Sequence, residues 1–316
     1  MSGRYLLKRL ALIFVTLLIV SFVVFAVTQI LPGNAAVMIL GEYATPGQRE
    51  ALELQLGLDR PWFVQFGTWL GGILTGDWGT SMRLQAPVAA VVVEALSRSL
   101  ALAVSALLVV TVVAVPLGVI AAARRGTKFD LGVSLLSYAG IALPEFVTAT
   151  LLLVFLGSPD VGLLPAGGYV PLREGLGPFL LHLVLPTMAL SLILTAHIAR
   201  QTRSEMVDVL QSDYIRTAVL KGLSRRVVLL RHALRNALAP AIAVIALDIG
   251  YLIGGILVVE EVFAYPGVGR LMMFALQNRD LPLIQAGTLV LAGTYAITNL
   301  IADLIYAVLD RRVRYE

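Results

Sequence analysis

The sequence predicts an all-α integral membrane protein with six transmembrane helices. Three observations carry this: a composition too apolar for water, six long apolar stretches, and a lopsided distribution of basic residues. Of 316 residues, 58% are hydrophobic and 14% charged, where a soluble domain carries about a quarter charged residues. The mean hydropathy is +0.87.

A helix needs about 20 apolar residues to cross the hydrocarbon. Six stretches qualify: 10–31, 99–123, 131–156, 179–198, 239–259 and 283–309. The first follows Arg4, Lys8 and Arg9, as a signal peptide would. Its apolar run outlasts the roughly 7–15 residues of a signal's hydrophobic region, so it is read as a permanent span. Orientation follows from Lys and Arg. With the N-terminus inside, the inner segments hold 17 of the 24 basic residues, and short basic loops stay on the cytoplasmic side. Both termini are therefore expected inside.

Two segments between spans are too long for turns. The first, 32–98, is expected outside. In it, Thr45-Pro46-Gly47-Gln48 has the pattern of a helix start, with Thr as N-cap, Pro at N1 and Gln at N3. Leu52 and Leu56 then share a face, and Gly57 is a stop. Trp62, Phe63, Phe66, Trp69 and Trp78 form an aromatic group suited to the headgroup boundary. Short external helices between the first two spans are the expectation. The chain divides accordingly into 1–98 and a five-span core, 99–316, whose inner loop is 201–238.

That loop contains a short helix from Asp213 to about Lys221, acidic at its start and basic at its end as the macrodipole favours. Gly222 stops it in a left-handed conformation, and a second basic helix leads back to the membrane. Such a helix is a good mechanical contact for another protein. A solvated basic loop would also satisfy the charge rule, and composition alone does not separate the two.

Much chemistry is excluded. There is no cysteine, hence no disulfide or thiolate site. His182, His197 and His232 are scattered. No G-x-x-x-x-G-K-[ST] or G-x-S-x-G motif occurs. No catalytic, cofactor or metal site is expected, and the energy for any work must come from a partner or an ion gradient.

The stretch Asp213-Tyr214-Ile215-Arg216-Thr217-Ala218-Val219-Leu220-Lys221-Gly222-Leu223 resembles the EAA loop of ABC-importer permeases, in the variant of the dipeptide, oligopeptide and nickel importers. There the pattern is D-Y-[VI]-R-T-A-x-x-K-G-L; Arg216 and Thr217 replace the first two letters of the older Glu-Ala-Ala form. The following Arg231-His232-Ala233-Leu234-Arg235-Asn236-Ala237-Leu238-Ala239-Pro240 is also similar. So are Leu31-Pro32-Gly33-Asn34 (Asn where the family has Asp), Leu56-Gly57-Leu58-Asp59-Arg60-Pro61 and Gly76-Asp77-Trp78-Gly79-Thr80-Ser81. Leu164-Pro165-Ala166-Gly167-Gly168, Leu185-Pro186-Thr187, the run from Glu260 to Leu271, and Arg279-Asp280-Leu281-Pro282 complete the set. The matches are co-linear over the whole chain.

The resemblance implies a type I ABC-importer permease fold in the bacterial inner membrane. The long segment after the first span resembles the first permease of such a pair. Implied partners are a second, homologous permease, two ATPase subunits that use ATP and magnesium, and an external solute-binding protein. It implies an ATPase-coupling role for Asp213, Tyr214, Arg216, Thr217, Ala218, Lys221 and Gly222. It implies an external gate or binding-protein contact at Glu260, Tyr265, Pro266, Gly267, Arg270, Arg279 and Asp280.

Polar residues at membrane depth normally face a bundle interior or a water-filled cavity. Asp248, mid-way along the fifth stretch, is a candidate for the pathway, with a packing hydrogen bond as the equal alternative. Glu145, beside Pro144, is the second candidate, with a structural role at a kink favoured. Asn299 and Asp303 lie in the sixth stretch, and Gly254-Gly255 reads as close helix packing. A rival reading, an ion-coupled secondary transporter using Asp248 and Glu145, would show Gly/Pro-interrupted helices in two repeated halves, and no repeat is found.

Overall fold

In hydrocarbon every backbone N–H and C=O must be satisfied within the protein, which a helix does for itself. The computed structural model obeys this. It describes residues 3–30, 45–48, 50, 54, 59–158 and 160–309, without the side chains at 3–5, 30, 238–241, 243–244, 246–251, 253 and 306–309. Among the described residues the helices are α1 (Gly3–Ile30), α2 (Trp62–Thr75), α3 (Val88–Ala123), α4 (Lys128–Ala142), α5 (Glu145–Leu156), α6 (Leu176–Leu210), α7 (Asp213–Leu220), α8 (Leu234–Val262), α9 (Val268–Gln277) and α10 (Leu281–Leu309). Four of them, α1, α3, α6 and α10, are long and apolar enough to cross a membrane, and the bent pair α4–α5 makes a fifth if it is one span. The 29-residue α8 occupies the remaining apolar stretch, consistent with six.

Two expectations are corrected. The third stretch, 131–156, is not one helix: α4 and α5 meet at 106°. Pro144 lacks an N–H and disfavours helical geometry in the residue before it, and Leu143 is extended at φ −86°, ψ 126°. The second span begins earlier than 99, since α3 starts at Val88. Within 201–238, α6 continues to Leu210 and α8 begins at Leu234.

The chain divides into two units. One comprises Arg98–Gly269 with the end of α10, and the other Gly3–Ser97 with residues 270–296; α3 and α10 contribute to both. In the first, Leu102, Ala106, Val110 and Ala114 of α3 form a core with Leu190, Leu194 and Ile198 of α6 and Leu252, Ile256 and Val259 of α8. Glycines set the closest approaches. A Cβ on Gly118 of α3 would lie 2.6 Å from the Ala199 carbonyl oxygen of α6, and one on Gly140 of α4 would lie 3.0 Å from the Ala196 Cβ.

In the second unit, Phe25 of α1 stacks on Phe66 and Trp69 of α2 at 5.5 and 5.6 Å, and Phe22 packs against Trp62 at 5.7 Å. The aromatic group of α2 thus has its partners on α1. Thr45 and Gln48 form a reciprocal capping pair: Gln48 Oε1 accepts from the Thr45 N–H at 3.0 Å, and Thr45 Oγ1 accepts from the Gln48 N–H at 3.4 Å. The 31–34 motif, the Leu52/Leu56 face and Gly57 fall outside the described residues.

Candidate functional site

The short helix α7 is amphipathic at a spacing of three. Ile215 and Ala218 are buried against Val119 and Ala122 of α3, Met206 of α6, and Val228, Ala233 and Ala237. The helix ends on a Schellman motif: the Leu223 N–H reaches the Ala218 carbonyl at 3.4 Å, and the Gly222 N–H reaches that of Val219 at 2.9 Å. Gly222 sits at φ +78°, the left-handed conformation that glycine adopts without strain. After it comes a π-helical turn, Val228–Ala233. Two side chains tie the assembly down. Asn236 donates to the Tyr214 hydroxyl at 2.8 Å, and the Arg225 guanidinium donates to the Ala123 carbonyl at the end of α3.

Opposite this anchored face, α7 exposes Asp213, Arg216, Thr217 and Lys221. It also exposes Val219 at 57% and Leu220 at 79%, and Leu223 follows at 39%. Ala218, expected among the coupling residues, points inward and packs the helix down. Val219, Leu220 and Leu223 were not singled out by sequence, since in an apolar chain three more aliphatic residues carry no signal; only burial reveals them.

The second feature is the α4–α5 elbow. Glu145 opens α5, and its carboxylate sits against Gly255 of α8, where a Cβ would lie 2.7 Å from its carboxyl carbon. Its buried Oε1 has no hydrogen-bond partner. Of the glycine pair, Gly255 allows this approach, whereas Gly254 faces open space. The side chain of Asp248 lies outside the described residues. Asn299 and Asp303 are half-buried on α10.

The expected gate residues fall in two places. Glu260, Tyr265, Pro266 and Gly267 belong to the first unit. Glu260 is fully buried at the end of α8. Its carboxylate accepts from the Gly269 N–H at 2.7 Å and from the Ser99 hydroxyl, and Ser99 Oγ in turn accepts from the Val268 N–H at 2.9 Å. A Cβ on Gly267 would collide with that carboxylate. The buried Tyr265 donates to the Arg98 carbonyl at 3.0 Å, and Arg98 lies 4.9 Å from the Tyr169 ring centre. Burial, with Tyr169 and Glu260 nearby, pushes the Tyr265 phenol above its usual range.

Arg270, Arg279 and Asp280 belong to the second unit. Asp280 is fully buried; it accepts from the Ser81 hydroxyl at 2.5 Å and the Arg83 N–H at 3.1 Å. Two motifs far apart in sequence, at 76–81 and 279–282, meet here. Glu260, Tyr265 and Asp280 thus face inward. Buried and hydrogen-bonded within the chain, they hold loops in shape, while Ala264, Arg270 and Arg279 are exposed.

No group of three or more His, Asp or Glu able to hold a metal ion exists among the described residues. Comparisons with known proteins point to transport. Residues 114–315 match the model for "Binding-protein-dependent transport system inner membrane component", and residues 2–103 match that family's N-terminal model. A relative from Brucella melitensis is 40% identical over 316 residues, covering 100% of both chains. The oligopeptide transport system permease protein of Bacillus subtilis is 36% identical, covering 99% of this chain and 100% of its own. The dipeptide transport system permease protein of Escherichia coli is 36% identical, covering 99% of each. This chain accordingly belongs to the inner membrane components of binding-protein-dependent transport systems, as the permease of an ABC importer.

Proposed function

We propose that the chain is one of two homologous permease subunits in an ATP-driven peptide importer, and that α7 seats in a cytoplasmic ATPase. One observation carries the coupling role. α7 is held to α3, α6 and the π-helical turn by one face and offers Val219, Leu220 and Leu223 on another, the construction of a rigid contact with a desolvating anchor. ATP and magnesium are used by two partner ATPases, and their closure pushes on α7 in a two-state rigid-body cycle. The peptide cargo is supported by the names of the Bacillus and Escherichia relatives. An external solute-binding protein delivers it to the outer loops, among them 264–270. Asp248 and Glu145 are the pathway candidates. Both termini and α7 lie in the cytoplasm, which the 17 inner basic residues support.

The test is purification from the native membrane followed by labelled-dipeptide uptake in proteoliposomes. ATPase subunits that co-purify, and uptake that needs ATP and the binding protein, are expected. Uptake of the dipeptide without ATP would overturn the coupling. Orientation is read separately with a single cysteine at Ser224 in this cysteine-free chain: labelling from outside intact cells by an impermeant reagent would reverse the topology.

A further inference from the structure

The apolar knot around α7 draws residues from α3, α6, the π-helical turn and α8, and none from α4. Yet α4 leads into the elbow at Leu143-Pro144, where Glu145 meets α8. Movement that starts at α7 reaches α4 through the covalent α3–α4 turn, 124–127, and across the α4–α6 packing at the end of α4 nearest α7.

The α4–α6 packing at that end includes an ion pair. Arg203 of α6 donates through Nε to Asp130 Oδ1 and through Nη2 to Asp130 Oδ2, the latter at 2.8 Å. Such a forked pair fixes orientation as well as distance. Asp130 is only 5% exposed. It also accepts from the Gly126 N–H at 3.0 Å, and its own N–H donates to Thr127 Oγ1 at 3.4 Å, so one carboxylate clasps both the α3–α4 turn and α6. Arg203 is placed by its backbone. A Cβ on Gly118 of α3 would lie 3.0 Å from the Arg203 nitrogen, and Met206, one turn further on, already belongs to the knot. Further α4–α6 contacts lie along the helices, among them Arg200 over the Tyr138 ring at 5.8 Å and Gly140 against Ala196. As α4 numbers rise, α6 numbers fall, so the helices run antiparallel and Asp130–Arg203 is the link nearest α7.

We propose that Asp130 and Arg203 are positioning residues of the transport cycle: their ion pair makes α4 travel with the knot that carries the coupling helix. This rests on the coupling role proposed for α7. Neither residue touches cargo or nucleotide; both act through the helices they join. Without the pair, α6 would follow α7 while α4 lagged, and the elbow would no longer report the nucleotide state.

The test uses the whole complex in nanodiscs. Cysteines replace Leu136 on α4 and Met188 on α6, both exposed on this chain, and carry spin labels. The wild type and the charge-keeping Asp130→Glu are expected to hold one narrow α4–α6 distance with and without a non-hydrolysable ATP analogue. Asp130→Asn and Arg203→Gln should match them without nucleotide, then broaden and shift by several ångström with it. The double variant should be no worse than either single, because both remove one interaction. A narrow distance in Asp130→Asn under both conditions would overturn the inference. Equal broadening without nucleotide would also overturn it, since the pair would then be a static fastener. Absence of ATPase subunits from the wild-type complex is recorded separately: it removes the functional reading, and this inference with it.

Discussion

The loop after α8 and the helix α7 carry equally dense motifs and treat them in opposite ways. At the end of α8 and in the loop that follows, one carboxylate and one phenol are turned inward. Glu260 and Tyr265 are fully buried, and their polar atoms bond to Gly269, Ser99 and Arg98. In α7, the buried positions are the plain Ile215 and Ala218, while Leu220 is left 79% exposed. A buried carboxylate with its donors satisfied shapes the chain that holds it. An exposed leucine on a rigid helix has unspent hydrophobic contact for another protein. The same kind of sequence pattern thus marks an internal brace in one region and an exposed apolar face in the other.

The largest expected effect breaks the brace. Glu260→Ala strands the buried donors of Gly269 and Ser99, each at a cost of about 1–3 kcal/mol. The yield of folded chain should fall more than for any other change discussed, with a lower unfolding temperature in detergent. Unfolding at the wild-type temperature would mean that the loop is held by something else. Next comes the contact. Leu220→Asp should leave folded yield unchanged but weaken ATPase capture by at least about 30-fold, the scale of a hot-spot anchor of about 2 kcal/mol. A pull-down titration of the ATPase decides it, and a loss of yield instead would make Leu220 part of the brace. Third is the stop of α7. At φ +78°, Gly222→Val meets strain of about 1–2 kcal/mol and should uncouple hydrolysis from uptake while insertion stays normal; Gly222→Asn, which tolerates that conformation, should be nearly silent. The smallest is Lys221→Ala. An exposed rim charge changes binding by less than about fivefold and does so most at low salt, so ATPase affinity measured across ionic strength should converge with wild type at high salt.

Some of these features were legible in the sequence and others were not. The Thr45/Gln48 cap, the extent of α7 and the left-handed Gly222 follow from rules that act within a few residues, and the structure has each of them. Prolines show where such rules stop. Pro116 and Pro186 lie inside continuous helices α3 and α6, whereas Pro144 ends one helix and starts another at 106°. Each removes its own N–H; Val115 and Leu185 before the first two lie within their helices, whereas Leu143 before Pro144 is extended. Burial is the second limit. Ile215 and Ala218 stand three apart, but that this stripe faces the bundle depends on Val119 and Ala122 of α3, far away in the chain, and on Met206 of α6.

By itself, then, the sequence determined that this chain is a helical membrane protein, which stretches are long and apolar enough to cross the membrane, and which short segment resembles a coupling element. These follow from transfer of side chains to hydrocarbon and from local backbone geometry, which are properties of a residue and its near neighbours. Only the tertiary structure decided that Ser81 meets Asp280, that Arg203 meets Asp130, that Glu145 rests on Gly255, and that Glu260 faces inward. Pairings between distant residues depend on how helices pack, and in a chain this apolar nearly every helix face could pack against another. The few polar side chains and missing Cβ atoms break that degeneracy, and their partners are visible only once the helices are in place.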